Sequence, residues 1–320
     1  MRPAFSVVFL TTLCGAAQGL LIALVGVEVA GRLGWGAASA MTSQSFYVVG
    51  AGVSVALGAL GLLASFFHLG HPERAWRAIA MWRTSWLSRE CLALPAFLAC
   101  AFAYGVAHWI GSPYAIAIGV LGVLAGAALF VCTSMIYACL RFLQEWATPL
   151  TMVNFVLLGC ASGFTLAAAC SAWLAPALVG ALAPCACVLT LAGCASRIAS
   201  LARNARLRPK STLQSATGIK GPNVVQKSRG FTAQSFNTRE FFHGQTARTV
   251  QTVKWAFLLG AFAVPFVLTA LGAAASSSVA SSIALLGAAF VIQYAGLVAE
   301  RWFFFAEARH PQNLYYGRAS

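Results

Sequence analysis

Aspartate does not occur anywhere in this 320-residue chain, and glutamate occurs only seven times among a total of 9% charged residues. A soluble domain carries about 25%. With 60% of residues hydrophobic and a mean hydropathy of +0.79, that scarcity excludes a water-soluble globular protein. Regular alternation of apolar and polar residues is missing too, which excludes a membrane β-barrel. Histidine is rare: His71, His243 and His310 fall in loops or the tail, and His68 and His108 fall at opposite membrane faces. No pair therefore sits at matching depth to hold a haem in this chain. No carboxylate or lysine lies clearly at mid-span, where a cation- or proton-coupled transporter carries one. Walker, Rossmann and zinc-protease motifs are absent. The ten cysteines include no C-x-x-C pair, and Cys185 and Cys187 are spaced off any one helical face. They read as small packing residues, not as metal ligands or disulfides.

What remains is a chain of apolar runs, each about 20 residues, the length that crosses a hydrocarbon core as a helix. Eight are expected, at about 6–30, 46–68, 90–110, 114–139, 149–170, 173–195, 251–273 and 279–300. The first, from roughly Val7 to Ala30, is too long for a secretory h-region and reads as a retained span. The fold class is all-α, a polytopic bundle of eight transmembrane helices. Of the 21 Lys and Arg residues, 20 then fall on the side of the termini, and Arg32 alone on the other. The positive-inside rule makes the termini and the 2–3, 4–5 and 6–7 loops cytoplasmic. An odd number of spans would spoil that partition.

The net charge of +14 is thus gathered on one face, suited to anionic lipid or an acidic protein partner. No nucleic-acid reader module is present. Residues 1–320 form a single membrane-anchor domain, with a basic cytoplasmic loop at 196–250. That loop is too small and too polar to fold alone, yet Phe231, Phe236, Phe241 and Phe242 punctuate it. Asn237 followed by Glu240 has capping-box spacing. The loop is expected to dock partner subunits; a surface loop on lipid is the other reading.

One stretch concentrates the polar residues. "ASFFHLGHPERAWRAIAMWRTSWLSRE", Ala64 to Glu90, carries four arginines, two histidines, two acids and three tryptophans between spans 2 and 3. His68 falls at the last turn of one span and Glu90 at the start of the next. An imidazole and a carboxylate at the bilayer edge suit a lipid-soluble quinone, whose two-electron reduction also takes two protons. Arg74, Arg77 and Arg83 could bond quinone oxygens or stabilise negative charge on them, and Trp76, Trp82 and Trp86 could form walls. The plainer reading makes the arginines topology determinants and the tryptophans the usual interfacial belt. Glu28 and His108 lie towards the opposite face. Glu300 and Arg301 close span 8 on the cytoplasmic side, where they could join the His68 and Glu90 region, and read as a structural pair more than a catalytic one.

"HLGHPERAWRAIAMWRTSWLSRE" resembles the membrane-anchor subunit of dimethyl sulfoxide reductase-type molybdoenzymes, which has a similar His-Leu-Gly-x-Pro-x-Arg-Ala segment and a Ser-x-Glu opening its third span. The resemblance implies a bacterial cytoplasmic (inner) membrane protein anchoring a molybdopterin catalytic subunit and a four-cluster iron–sulfur subunit. It implies ubiquinone or menaquinone as redox partner, with His68 and Glu90 at the quinone site. The "MRPAFSVVFLTTLCGAAQGL" opening and the long 6–7 loop are more similar to the membrane subunit of cytoplasmic sulfite-oxidising complexes. The expected role is therefore electron transfer from sulfite to quinone, without substrate catalysis in this chain. The alternatives are a quinol-oxidising anchor of a sulfoxide or oxyanion reductase and, in other classes, a transporter or an inert anchor.

Overall fold

The structure is a computed structural model. It describes residues 1–34, 43–67, 69–208, 210–221, 241, 243–275 and 278–314. Among them are eight helices long and apolar enough to span a membrane: α1 (Phe5–Arg32), α2 (Gln44–Phe66), α3 (Trp86–Trp109), α4 (Ala115–Ala138), α5 (Pro149–Leu174), α6 (Val179–Ala205), α7 (Ala247–Ala274) and α8 (Val279–Glu307). No strand occurs among the described residues. Lipid offers no partner to backbone N–H and C=O groups, so apolar runs of this length close their hydrogen bonds internally as helices.

Local chemistry sets several of the ends. The side chains of Ser85, Thr148, Thr246 and Ser278 accept from backbone N–H groups in the first turns of α3, α5, α7 and α8, replacing partners the helix cannot supply. Pro149 occupies the first turn of α5, where its missing N–H costs nothing. In α7 a π turn, Leu259–Ala263, precedes Pro265. The ring has no N–H to give and crowds the preceding turn, and a π turn absorbs that defect.

α1 and α5 form the centre. In each, 72% of the most apolar stretch is buried, against 33–39% in the other six helices. Their crossing is made by glycine: a Cβ on Gly19 would collide with the Gly159 carbonyl, and one on Gly163 with the backbone of Gly19 and Leu20. Such crossings replace hydrophobic drive with backbone contact in lipid. Around the pair, α1 also packs on α2 and α4, with α3 between α2 and α4. α5 packs on α6 and α8, and α7 joins α6 to α8.

The expected spans agree with these helices to within a few residues at most ends. The exceptions matter. α3 begins at Trp86, so Glu90 sits inside its second turn; α6 continues to Ala205 and α8 to Glu307. Arg197, expected in a loop, is therefore helical and buried. Asn237, Glu240, Phe231, Phe236 and Phe242 of the 6–7 loop lie outside the described residues.

Candidate functional site

His68, the first of the expected quinone-site residues, lies outside the described residues. Its neighbour Phe67 caps the C-terminal end of α2 and is 81% exposed. There, on the outer side of α1 and α2, Ser6, Phe9, Leu13, Leu60, Ala64 and Phe67 line a groove of about 410 Å³ with almost wholly apolar walls. Behind the groove the helices touch closely, since a Cβ on Gly61 would meet Cys14 Sγ at 2.7 Å. Cys14, next to the groove residue Leu13, is in electrostatic range of Glu90.

Glu90 is the one expected site residue that the structure buries, at 8% exposure. Thr133 of α4 donates its hydroxyl to the carboxyl, and Tyr137 lies one turn further along the same face of α4. No ion pair to Glu90 occurs among the described residues. A carboxyl held in lipid without a counter-ion is costly, so its retention asks for a functional reason.

The other expected residues are placed differently. Pro72–Met81 forms 3-10 turns with no buried residue. Arg74, Arg77 and Arg83 are exposed, Trp76 is 70% exposed and Trp82 50%. Trp86 is half-buried under the Arg89 guanidinium, 4.3 Å from its ring centre. Arg89 also donates to the carbonyls of Trp82 and Arg83 at 2.9 and 2.7 Å, fastening the segment to α3. Arg77 and Arg83 lie over Trp76 and Trp82. The described residues thus do not gather these side chains around Glu90.

Sequence reasoning paired Glu300 with Arg301 but missed Arg197 and Glu307, which complete the densest ionic cluster, near the same face between α5, α6 and α8. Arg197 (2% exposed) places Nε 2.7 Å from Glu300 Oε1 and Nη2 3.6 Å from Glu307 Oε2. Glu300 Oε2 lies 3.9 Å from Arg301 Nε. The Arg301 guanidinium covers the Phe155 ring at 3.7 Å, and the Arg197 guanidinium lies 5.6 and 5.7 Å from the ring centres of Phe257 and Phe303. An aromatic cage of Tyr137, Trp146, Phe155, Phe304 and Phe305 packs beside Arg301, which lies over Phe155 and Phe304, held by Trp146 Nε1 donating to the Phe304 carbonyl at 3.0 Å. The signal was present in the spacing: Glu300 and Glu307 are two helical turns apart on one face of α8.

A second cluster closes the opposite face. Glu28 accepts from the Tyr104 hydroxyl at 2.9 Å, His108 Nε2 at 3.1 Å and Arg32 at 3.1 Å. His108 is stacked on Tyr47 with ring centres 4.3 Å apart. The expected separation of Glu28 and His108 from Glu90 is what the structure has, Glu90 lying at the opposite end of α3 from His108.

Back on the loop-rich face, a cavity of about 430 Å³ opens beside Glu145, Asn204, Lys254, Glu307 and His310. The Met1 amino group donates to the Ala308 carbonyl at 2.9 Å, beyond the last turn of α8. Burial lowers its pKa to about 6, partly opposed by Glu145. Burial, and then the Met1 ammonium, push His310 and His243 below the usual imidazole range.

A family model described as DMSO reductase anchor subunit (DmsC) matches residues 1–317. The chain belongs to that family. It is also 53% identical to a sulfite dehydrogenase subunit of Allochromatium vinosum, across 99% of each chain. It is thus the membrane anchor subunit of a multi-subunit oxidoreductase of the DMSO reductase type, related to sulfite dehydrogenase. For a membrane anchor, the site geometry has a plain consequence: Glu90 and the α1–α2 groove lie at the membrane face reached from the 2–3 loop. Among the described residues, no three His, Cys, Asp or Glu side chains converge as metal ligands.

Proposed function

We propose that this anchor subunit delivers electrons from sulfite oxidation to membrane quinone, at a site formed by His68, Glu90 and the groove between α1 and α2. The observation that carries the reading is Glu90: a buried carboxyl with a hydroxyl donor and no counter-ion among the described residues, one helix away from an apolar groove that ends at Phe67. The groove suits a quinone's ring and isoprenoid chain, since its walls are apolar and it ends at Phe67, the residue that precedes His68 in sequence. Bound there, the quinone supplies two carbonyls that accept electrons and protons.

In this reading His68 hydrogen-bonds a quinone carbonyl, and Glu90 holds the proton that follows the electrons. Thr133 orients the Glu90 carboxyl. Arg74, Arg77 and Trp76, exposed at the same face, act at the contact with the iron–sulfur subunit more than on quinone, and Trp86 opens α3 beneath the Arg89 guanidinium. The molybdenum and iron–sulfur centres belong to partner subunits, one of which carries four clusters. The basic face, including the 196–250 loop, receives those partners and anionic lipid. It faces the cytoplasm of a bacterial inner membrane, with both termini inside. Electrons and protons then enter from one side, and the quinone step moves no net charge across the bilayer.

The likeness to the sulfite dehydrogenase subunit favours this direction. The family description favours a second reading, quinol oxidation that drives a sulfoxide reductase. Membranes with and without this chain separate the two. Sulfite-dependent reduction of a short-chain quinone analogue should vanish without the chain, whereas quinol-dependent reduction of dimethyl sulfoxide should be unaffected. The reverse pattern assigns the second reading, and no response in either assay removes both.

A further inference from the structure

The cluster around Arg197 is buried but not closed. Arg197 Nε and Nη2, Glu300 Oε2, Arg301 Nε and the neighbouring Ser196 Oγ and Asn154 Oδ1 have no hydrogen-bond partner among the described residues. The Arg197 Nε–Glu300 contact is close enough for an ion pair, but its angle does not make a hydrogen bond. Buried polar groups in this condition are ordinarily completed by ordered water, each molecule taking about three hydrogen bonds. Six such atoms on α5, α6 and α8 form a seam of unsatisfied polar groups inside the bundle, of the kind that ordered water completes.

The seam has two ends. At one, Glu307 lines the 430 Å³ cavity that opens on the loop-rich face. At the other, the Arg301 guanidinium covers the Phe155 ring, which is stacked on Tyr137. Tyr137 and Thr133 are four residues apart on α4, so they present one face to Glu90. Glu90 itself receives the Thr133 hydroxyl. From cavity to Glu90, the ionisable groups lie within about two helical turns of the same membrane face.

We propose that this seam is the proton-entry route to Glu90, running from the cavity through Glu307, Glu300 and their waters to the Tyr137 hydroxyl. The proposal rests on the quinone-site reading above and adds the residues that supply it. Arginine does not give up its proton, so Arg197 and Arg301 are positioning residues that anchor the waters and hold the two glutamates in place. The carriers are carboxyl, water and phenol hydroxyl, each of which donates and accepts. One turnover converts two quinone carbonyls to hydroxyls, using two electrons from the partner's iron–sulfur clusters and two protons. Each proton given by Glu90 is replaced along the seam from the cavity, and every group in it returns to its starting state.

The test uses membranes carrying the assembled complex, with sulfite as donor and a short-chain quinone analogue as acceptor. Y137F keeps the aromatic cage and removes one hydroxyl; E307Q keeps the shape of the cavity mouth and removes the acid. Both should slow quinone reduction by about 100-fold, the scale of a lost acid–base step, while sulfite still reduces the iron–sulfur clusters at the parental rate. The rate should become more sensitive to heavy water, and small weak acids in the buffer should restore E307Q. Parental rates in both variants, with E90Q inactive, would overturn the route and leave the quinone site standing. Slowing without an isotope response or weak-acid rescue would mark a structural role and also overturn it. Parental rates in H68A and E90Q would remove the quinone-site reading itself. If Y137F does not assemble, E307Q decides alone.

Discussion

Two ionic clusters sit near opposite faces of this bundle, and they are built on different terms. At the Arg32 end, both Glu28 carboxyl oxygens have donors, Tyr104 and His108 on one and Arg32 on the other, with His108 stacked on Tyr47. At the other end, Arg197, Glu300 and Arg301 are as deeply buried, yet several of their polar atoms lack hydrogen-bond partners among the described residues. A closed cluster of this kind fastens helices, here α1 to α3. An open one leaves polar atoms for ordered water to complete, as the proposed proton route requires. Burial alone would have classed them together; the partner inventory separates them.

The comparison breaks most violently at Arg197. Arg197→Met leaves Glu300 buried beside a methionine, and removing one partner of a buried pair costs about 3–5 kcal/mol. Thermal unfolding of the purified complex in detergent should show that loss, and an unchanged transition would mean the pair is already water-screened. Glu28→Gln is gentler, because the amide oxygen still accepts from Tyr104 or His108. Its expected cost is about 1–3 kcal/mol, in the same unfolding assay.

The smallest effect comes from the Met1 amino group. Burial brings its pKa down from 8.0 to about 6, so the folded chain releases a proton that the unfolded chain keeps between those values. Stability therefore rises as pH climbs from about 6 to 8, with the penalty complete below 6 and gone above 8. After allowance for partial exposure the gain is about 1 kcal/mol. His243 and His310, also lowered, slope the same way in the acidic part of the window. Comparing unfolding at the two pH values with and without N-terminal acetylation isolates the Met1 share.

Much of the fold was legible because lipid leaves the backbone few choices. Length and apolarity alone located all eight helices, and the capping residues Ser85, Thr148, Thr246 and Ser278 mark where four of them begin. The site was legible more unevenly. Glu90 was found because a carboxyl beside an apolar run is conspicuous, and its partner Thr133 was not, because one threonine among many carries no signal. Arg197 was placed in a loop for the reason that hydropathy fails near span ends: a charge lowers the local average whether or not it is paired. Its partners are more than a hundred residues away on α8, a distance that periodicity cannot bridge. The exposure of Trp76 and Arg77 was equally out of reach, since an amphipathic segment reads the same whether it covers quinone, lipid or a partner protein.

The most direct test sets the two faces against each other in one assay, as sulfite-driven quinone reduction per assembled complex in Glu90→Gln and Glu28→Gln membranes. The account predicts a loss of about 100-fold or more in the first and parental turnover, with lowered thermal stability, in the second. Parental turnover in Glu90→Gln, or its loss in a well-assembled Glu28→Gln, would contradict it.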